Sequence, residues 1–414
     1  MSLYSGTPYW PFTRPNPPAY PALAGSAACR VLVVGGGMTG ILCGYMLARS
    51  GVDTVLIERD TIASGSTAAN TGLIQYSNDI SLTALASQIG ETDAVRFYRA
   101  CKDAIGHLAQ IAQTLPRDVG FKRRSSLYFA SSEADVPALR REFEALDRHG
   151  FGAEWWDEAR IAAAFPFRKA GAIVTHGDAE LNPFRFTTTL AETAAAEGLA
   201  IYERTPLVSV SGTRGSFVAR TDRADIRAER IVYAVGYSPE TAGGRWLRAK
   251  LGRSYAIATK PLPGLPGWHQ RFLLWETARP YLYLRTTPDR RIVAGGLDEP
   301  VRPPVSSAAE LRERSLRLLA EIRKLFPGLA LEPDKMWCAT FGESADNLPW
   351  FGEDLERPGQ YFALGYGGNG TVYSVIGAAI IRDLVLGADH PLARLVRPDR
   401  PAPAGASAPL PAGG

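Results

Sequence analysis

Three glycines near the start of the chain have the spacing of a dinucleotide-binding turn. Gly35, Gly37 and Gly40 follow the apolar run VLVV and precede the helix-forming segment ILCGYMLARSG. The first glycine permits a tight turn, the second lets backbone approach a pyrophosphate, and the third allows close packing of helix on strand. The helix N-terminus then presents N–H groups to the phosphates. This spacing therefore favours the binding of a dinucleotide.

An acidic residue at the end of the next apolar strand, TVLIERD, supports this interpretation. Glu58 occupies the position at which a carboxylate accepts ribose hydroxyls and disfavours a 2′-phosphate, which argues against NADP. NAD and FAD both stay open at this point. The following segment, RDTIASGSTAANTGLIQ, is dense in small and hydroxyl-bearing residues. Such a loop allows backbone to approach a flat ring system and favours FAD, although its composition also fits an ordinary small-residue loop.

A second glycine-rich turn, GYGGNGTVYSVIG, spans residues 365–377. Residues 359–381, which contain this turn, and residues 31–48 are uncharged and long enough to suggest membrane spans. Both are rich in glycine, which costs roughly 1 kcal/mol per residue inside a helix, and both fit a strand, a turn and a helix. We expect nucleotide-binding elements and no membrane span.

The elements that must position these turns are of two kinds. Parallel-strand signals occur near both ends of the chain and in its middle, at RIVYAVG. Between them lie antiparallel signals, including the hairpin pattern YLYLRTTPDRRIVAGG with Pro288-Asp289 in its turn. Ser307 and Glu310 predict the start of an amphipathic helix. The fold class is α/β with an α+β insert: a Rossmann-like FAD-binding domain built from separated segments, with an inserted antiparallel-sheet substrate domain.

The same patterns predict the domain boundaries. We expect an extended N-terminal arm (1–27), an FAD-binding domain (28–88, 171–243 and 334–397), a substrate domain (89–170 and 244–333) and a disordered tail (398–414).

Composition and charge exclude several classes of protein. The net charge is +4 and the basic residues form no stripe, so no nucleic-acid partner is expected. The four cysteines have no CxxC spacing and the five histidines no metal-ligand spacing, so we expect no metal site and a cytoplasmic protein. The N-terminus has no secretory signal pattern. Oligomeric state cannot be inferred from the sequence.

With these motifs in place, the chain resembles the flavin-dependent D-amino acid oxidase superfamily, which includes glycine, sarcosine and gamma-glutamylputrescine oxidases. The resemblance begins with GxGxxG, Glu58 and GSTAANTG. It continues, in order, through GDAELNP (177–183), RIVYAVGYS (230–238), ADNLPWFG (345–352) and the second glycine-rich turn. These motifs cover nearly the whole chain, roughly from Val31 to Gly387.

The resemblance implies FAD as the cofactor. The first glycine turn would bind its pyrophosphate, and the second would meet the pyrimidine edge of the flavin, where a helix N-terminus favours the negative charge that reduction adds. The residues implied as FAD contacts are Gly35, Gly37, Met38, Thr39, Gly40, Glu58, Arg59, Ser66, Thr67, Asn70, Thr71, Gly72, Leu73, Val208, Gly236, Gly367, Gly368, Asn369, Gly370 and Thr371. Sarcosine oxidases attach flavin through a cysteine near Cys338, but Cys338 is one position out of register, so we predict noncovalent FAD.

The resemblance also implies the reaction. A hydride passes from a carbon beside nitrogen to the flavin, and water hydrolyses the resulting imine; no catalytic triad is needed or visible. Arg285 is the predicted anchor of a substrate carboxylate, with Tyr283 on the same strand face, and Gln75 and Tyr76 are further candidates. The alternative for Arg285 is a structural arginine paired with a neighbouring acid.

The expected partners are a small-molecule amine or amino acid and an electron acceptor, dioxygen or another. Oxidase and dehydrogenase therefore both stay open. The alternatives for the whole protein are an FAD-dependent dehydrogenase of a hydroxy acid or polyol, an NAD-dependent dehydrogenase, and a non-catalytic nucleotide-binding protein.

Overall fold

The structure is a computed structural model that describes residues 3–238, 249–301, 303–365 and 367–401. The strands are β1 Tyr4–Gly6, β2 Ala27–Val34, β3 Thr54–Ile57, β4 Leu73–Ile74, β5 Lys122–Phe129, β6 Glu154–Asp157, β7 Gly171–Glu180, β8 Ala200–Tyr202, β9 Leu207–Thr213, β10 Ser216–Thr221, β11 Asp225–Tyr233, β12 Ala249–Thr259, β13 Leu273–Glu276, β14 Tyr283–Thr286, β15 Ile292–Glu299, β16 Pro333–Ser344, β17 Trp350–Glu353 and β18 Gln360–Leu364. The helices are α1 Met38–Arg49, α2 Ser66–Ala69, α3 Leu82–Ile89, α4 Glu91–Thr114, α5 Val136–Arg148, α6 Glu158–Ala164, α7 Pro183–Ala196, α8 Ala308–Leu325, α9 Gly370–Leu386 and α10 Ala393–Val396.

The chain forms two compact units. Unit 1 comprises Met1–Asn16, Gly65–Phe186 and Gly252–Thr340; unit 2 comprises Pro17–Ser64, Thr187–Leu251 and Phe341–Gly414. Each unit is therefore assembled from separated segments, as the sequence predicts for the FAD-binding domain.

Unit 2 contains the predicted parallel sheet, with strand order β17-β18-β11-β2-β3-β8. The strands from β18 to β8 pair in parallel, β17 is antiparallel to β18, and the β9–β10 ribbon extends from β11. The run Val31–Val34 and all of β3 are buried, as expected for parallel strands covered on both faces. Helices α1 and α9 pack against each other and against strands of this sheet.

Unit 1 contains the mainly antiparallel sheet, with order β1-β16-β12-β15-β14-β13-β5-β7-β4 and with β6 beside β7. The predicted hairpin is β14–β15, in which Arg285 pairs with Val293. Helix α8 buries Leu318, Leu319 and Ile322 in the apolar core of this unit. The Ser307 side chain accepts a hydrogen bond from the Glu310 N–H at the start of α8. The predicted fold class is confirmed.

The division into units differs from the predicted domain boundaries in both directions, since residues 249–251 were expected in the substrate domain but belong to unit 2. Residues 65–88, 171–186 and 334–340 were expected in the FAD-binding domain but belong to unit 1. The reason is strand pairing: β7 is antiparallel to β5 and β6, and β16 lies between β1 and β12. The predicted boundary at residue 243 lies outside the described residues.

The two ends of the chain are also more integrated than expected. Strand β1 of the predicted arm pairs with β16, and Trp10 is 2% exposed. Arg400, in the predicted disordered tail, donates to Asp346 at 2.6 and 2.8 Å; residues 402–414 of that tail lie outside the described residues. Within the described ranges, no helix has the length and apolarity to cross a membrane, and no acidic, histidine or cysteine group could hold a metal ion.

Candidate functional site

The first glycine turn of unit 2, residues 35–40, is shaped by the absence of side chains. Gly35 has a φ of 112°, and a Cβ placed on it would lie 2.4 Å from the carbonyl oxygen of Ala234. A Cβ on Gly40 would lie 1.8 Å from the carbonyl oxygen of Gly35. Helix α1 then begins at Met38 after Gly37, which provides no side-chain cap. The turn therefore holds backbone where any larger residue would collide.

Glu58 lies beside this turn, at the end of β3. Its Oε2 accepts the N–H of Gly36 at 2.6 Å and its Oε1 accepts the N–H of Asp60 at 2.8 Å. Burial raises the pKa of Glu58, although the two N–H groups oppose this effect. Glu58 is partly exposed, and its carboxylate is held in place by backbone N–H groups. Its contact with the ribose hydroxyls stays a prediction. Arg59 is more exposed and pairs with Asp60 at 3.3 Å.

The second glycine turn, residues 365–371, lies in the same unit. Gly367 has a φ of 109° and its N–H donates to the carbonyl oxygen of Gly342 at 2.8 Å. Ser374 Oγ donates to the carbonyl oxygen of Gly370 at 2.7 Å and lies 2.7 Å from Thr39 Oγ1 of α1. The N-terminal parts of α1 and α9 are therefore in direct contact through Thr39 and Ser374. Helix N-termini favour negatively charged ligands, and the role of this pair in binding the dinucleotide stays a prediction.

Of the other residues of the second turn, Asn369 and Thr371 are buried and Gly368 is exposed. Gly236 has a φ of 53° at the end of β11. Val208 is 62% exposed on β9. The predicted contacts of these residues with FAD stay predictions.

The predicted flavin loop, residues 66–73, lies in unit 1 and consists of α2, a turn and the start of β4. Asn70 Oδ1 accepts the N–H of Gly72 at 2.6 Å, which closes the turn. Thr67 is buried, whereas Thr71 and Leu73 are partly exposed. Ser66 Oγ is buried and has no hydrogen-bond partner among the described residues. A hydroxyl left in that state needs a partner, and a bound flavin would provide one. The loop therefore fits FAD.

Arg285 does not lie at an open cleft as expected. It is 1% exposed, because β14 is buried on both faces. Its Nη1 donates to the carbonyl oxygens of Gly72 at 2.7 Å and Leu181 at 2.8 Å, and its Nη2 lies 3.5 Å from Glu180 Oε2. These contacts favour the structural alternative, an arginine paired with a neighbouring acid. No contact supports Arg285 as a carboxylate anchor.

The other predicted substrate residues divide into two groups. Tyr76 is fully buried and stacks on Phe151, and burial raises the pKa of its phenol; its position does not support contact with substrate. Gln75 is partly exposed and donates to Ser126 Oγ at 3.2 Å. Tyr283 lies across Gly295, where an added Cβ would lie 2.3 Å from the phenol oxygen. Tyr283 and Gln75 therefore stay candidates.

An acidic and aromatic cluster beside Tyr283 was missed by the sequence analysis. We define the tyrosine cluster as Tyr281, Tyr283, Asp79 and Asp298. Tyr281 OH donates to Asp79 Oδ1 at 2.8 Å, and the two tyrosine rings are 5.4 Å apart. Burial raises the pKa of Asp298 to about 6, although the nearby Ser254 hydroxyl opposes this effect. Its Oδ1 has no partner with hydrogen-bond geometry among the described residues. The alternation in YLYLR places Tyr281 on the same strand face as Tyr283, but no motif marks either aspartate.

The fold and the two glycine turns define a dinucleotide-dependent oxidoreductase with a parallel-sheet nucleotide unit and a second, antiparallel unit. Residues 30–384 match the family of FAD dependent oxidoreductases known as DAO, and the chain belongs to this family. It is therefore an FAD-dependent enzyme of the amino acid or amine oxidase type, which excludes the nicotinamide and non-catalytic alternatives.

Individual relatives agree with this assignment. The chain is 25% identical to the glycine oxidase of Geobacillus kaustophilus over 388 residues, covering 86% of this chain and 92% of that one. It is 24% identical to the gamma-glutamylputrescine oxidoreductase of Escherichia coli over 384 residues, covering 87% and 84%. The crystal structure of the Geobacillus glycine oxidase superposes with a TM-score of 0.77 at 21% identity, over 88% of this chain and 96% of that one, which shows the shared fold.

Proposed function

We propose that the protein oxidises the C–N bond of an amine or amino acid to an imine, which water hydrolyses to a carbonyl product. The observation that carries this proposal is the tyrosine cluster. Two carboxylates, Asp79 and Asp298, lie near two phenols in unit 1, and Asp298 has an oxygen without a protein partner. A protonated amine complements such a site by charge and by contact with aromatic faces. A neutral polyol lacks the positive charge, and the carboxylates would repel an anionic hydroxy acid.

The residues of the chain have distinct roles in this proposal. The first glycine turn and Glu58 bind the dinucleotide part of FAD, and the flavin loop orients the ring. Bound FAD supplies the acceptor for the hydride that leaves the substrate carbon. Asp298, once it has lost its proton, attracts the substrate ammonium, while Tyr281 and Tyr283 shield it from water. Hydride loss requires the neutral amine. The ionised carboxylate of Asp298 could accept the proton that the substrate ammonium must lose.

FAD is proposed to be noncovalent. Cys338 is 0% exposed and lies in the apolar core of unit 1. Burial raises the pKa of its thiol, so the reactive thiolate is disfavoured.

The experiment is anaerobic reduction of the purified yellow protein with matched substrate pairs. Each amine or amino acid is paired with the alcohol or hydroxy acid of the same carbon skeleton, and the loss of flavin absorbance is recorded. At least one amine should bleach the flavin while its matched alcohol leaves it oxidised. Bleaching by the alcohols and not by the amines would establish the polyol or hydroxy acid alternative. Admission of air to the bleached protein then distinguishes an oxidase, which regains its colour rapidly, from a dehydrogenase.

A further inference from the structure

We propose that Trp10, Trp337 and Arg285 are positioning residues that hold the flavin loop in the conformation that binds FAD. The proposal rests on the assignment of residues 66–73 to flavin binding. None of the three side chains needs to touch FAD, because each acts through the backbone of the loop.

The three side chains bind three carbonyl groups within four residues of the loop. Trp337 Nε1 donates to the carbonyl oxygen of Ala69 at 2.8 Å, and Trp10 Nε1 donates to that of Asn70. Arg285 Nη1 donates to the carbonyl oxygen of Gly72 at 2.7 Å. The donors are 0%, 2% and 1% exposed. Such bonds do not exchange with water, so the direction of each carbonyl is fixed from inside the unit.

Fixing these carbonyls also fixes the N–H groups that follow them. In a planar trans peptide, the N–H of one residue points opposite to the carbonyl of the residue before it. Each of the N–H groups of Asn70, Thr71 and Leu73 is therefore directed away from the side chain that binds the preceding carbonyl. A ring atom that accepts from any of these groups would meet a donor whose direction is set in advance. Preorganised donors of this kind lose little free energy to reorganisation when a ligand binds.

The clamp formed by these three side chains requires the glycine that the sequence places in the loop. Gly72 has a φ of 76°, and a Cβ on it would lie 2.4 Å from the carbonyl oxygen of Leu181 and 2.7 Å from Arg285 Nη1. Only a glycine allows the guanidinium to come this close. The same Nη1 also binds the carbonyl oxygen of Leu181 at 2.8 Å, so one nitrogen ties the loop to the end of β7.

The buried charge of Arg285 is balanced within the clamp. Glu180 Oε2 lies 3.5 Å from Nη2, and the guanidinium carbon lies 5.4 Å from the centre of the Trp10 ring. Glu180 Oε1 also accepts from Arg124 Nη2 at 2.9 Å. Trp10 thus supports Arg285 while it binds the loop, and the arm that carries Trp10 becomes part of the cofactor site.

The test removes the indole donors while keeping aromatic bulk. Trp10→Phe and Trp337→Phe each delete one N–H that donates to a carbonyl oxygen of the loop. The matched control is Trp268→Phe, because Trp268 is also buried in unit 1 and its Nε1 donates to the carbonyl oxygen of Phe272 at 2.9 Å, outside the loop. Arg285→Lys is a third variant, which keeps the charge but loses the planar fork.

Three measurements are made on full-length protein: the Kd of the apoprotein for FAD, hydrogen exchange of residues 64–75 in the apoprotein, and the visible circular dichroism of bound flavin. Trp10→Phe and Trp337→Phe should raise the Kd by about five- to thirtyfold, speed exchange in the loop and change the dichroism. Trp268→Phe, at a comparable loss of thermal stability, should leave the Kd within about twofold and the dichroism unchanged.

The proposal is overturned if both indole variants bind FAD with the affinity and dichroism of the wild type, or if Trp268→Phe changes them as much. These outcomes are separate from failure of the proposed function. A wild-type protein that binds FAD but is not reduced by any amine contradicts the proposed reaction and leaves the clamp to be judged on binding alone. A wild-type apoprotein that does not bind FAD contradicts both.

Discussion

The first glycine turn of unit 2 and the flavin loop of unit 1 present backbone by opposite means. In the turn, side chains are absent because nothing larger fits: a Cβ on Gly40 would lie 1.8 Å from the carbonyl oxygen of Gly35. In the loop, large side chains from distant segments hold the backbone, as Trp337 does for the carbonyl oxygen of Ala69 at 2.8 Å. The turn is specified by local sterics, and the loop is specified by long-range hydrogen bonds.

This difference determines how each region should respond to mutation. A methyl group that meets backbone atoms in the turn cannot be relieved by a change of rotamer, so the backbone itself must move. A lost donor at the loop removes one hydrogen bond to a buried carbonyl oxygen, at a cost on the order of 1 kcal/mol. Mutations in the turn should therefore abolish binding, whereas mutations of the clamp should weaken it by degrees.

Gly40→Ala should have the largest effect. The added methyl group would overlap the Gly35 carbonyl oxygen, which would displace the turn from the pyrophosphate. FAD affinity should fall on the order of a hundredfold or more, as measured by titration of the apoprotein. The control is Gly106→Ala, because Gly106 lies within α4 with nothing within 4 Å of an added Cβ. That variant should bind FAD normally and gain roughly 0.5–1 kcal/mol of stability. Normal FAD binding by Gly40→Ala would mean that the turn does not hold the cofactor.

Glu58→Ala should have the next largest effect, because Glu58 fixes the turn from outside. Its carboxylate accepts the N–H groups of Gly36 and Asp60, and both lose their partner in the variant. The Kd for FAD should rise by about ten- to a hundredfold. Asp60→Asn removes the same charge two residues along the chain, but its carboxylate is 68% exposed, so it should change the Kd by no more than about twofold. Equal effects in both variants would show that Glu58 acts through net charge and not through its contacts.

Asp298 lies in unit 1 but outside the flavin loop, and its effect should appear in the pH dependence of stability. Burial raises its pKa from 3.8 to about 6. The folded protein therefore holds this proton more tightly than the unfolded chain, so stability falls as pH rises between about 4 and 6. Asp298→Asn should be more stable than the wild type at pH 8, by at most about 3 kcal/mol, and similar to it at pH 4. Thermal unfolding across this pH range measures the difference.

Glu299, the next residue along β15, should show the opposite dependence of stability on its charge. Bonds to Arg253 and Tyr255 outweigh burial and lower the pKa of Glu299, and its Oε2 accepts from Arg253 Nε at 2.7 Å. Glu299→Gln should therefore be less stable than the wild type at neutral pH. If Asp298→Asn were also less stable at pH 8, Asp298 would have a partner that compensates for its burial. The proposed amine site would then lose its main support.

Much of the fold could be predicted because its signals are local. The uncharged run of β2 and the alternation in the β14–β15 hairpin both reflect short-range periodicity, and both were found. Strand β7 was assigned to the wrong region because its partners cannot be read from its own residues. Lys122 of β5 pairs with Glu180, far along the chain, and pairings with β4, β5 and β6 together place β7 in unit 1.

The candidate site divides in the same way. The first glycine turn was found because three glycines and an acid fall within one βαβ unit. Trp10 and Trp337 were missed because their hydrogen bonds to the flavin loop cross 60 and 268 residues. Arg285 was predicted to anchor a substrate carboxylate in an open cleft. Because β14 is buried on both faces, its guanidinium instead donates to backbone carbonyls. A sequence pattern indicates which face of a strand a residue occupies, but not what covers that face.

Cys338→Ala should have the smallest effect, and the reason lies in its neighbour. Successive residues of a strand point to opposite faces. In β16, Trp337 reaches the flavin loop, so Cys338 points to the other face, into the core that contains Leu311 and Leu318. A thiol there cannot reach a ring held by the loop. Acid precipitation of the wild type should therefore release all of the yellow colour into the supernatant, and Cys338→Ala should behave identically. The variant should lose only roughly 1–2 kcal/mol of stability from the small cavity it creates. Colour that stays in the wild-type pellet and disappears from the Cys338→Ala pellet would show a covalent bond. Cys338, and not Trp337, would then have to lie on the face of β16 that contacts the flavin loop.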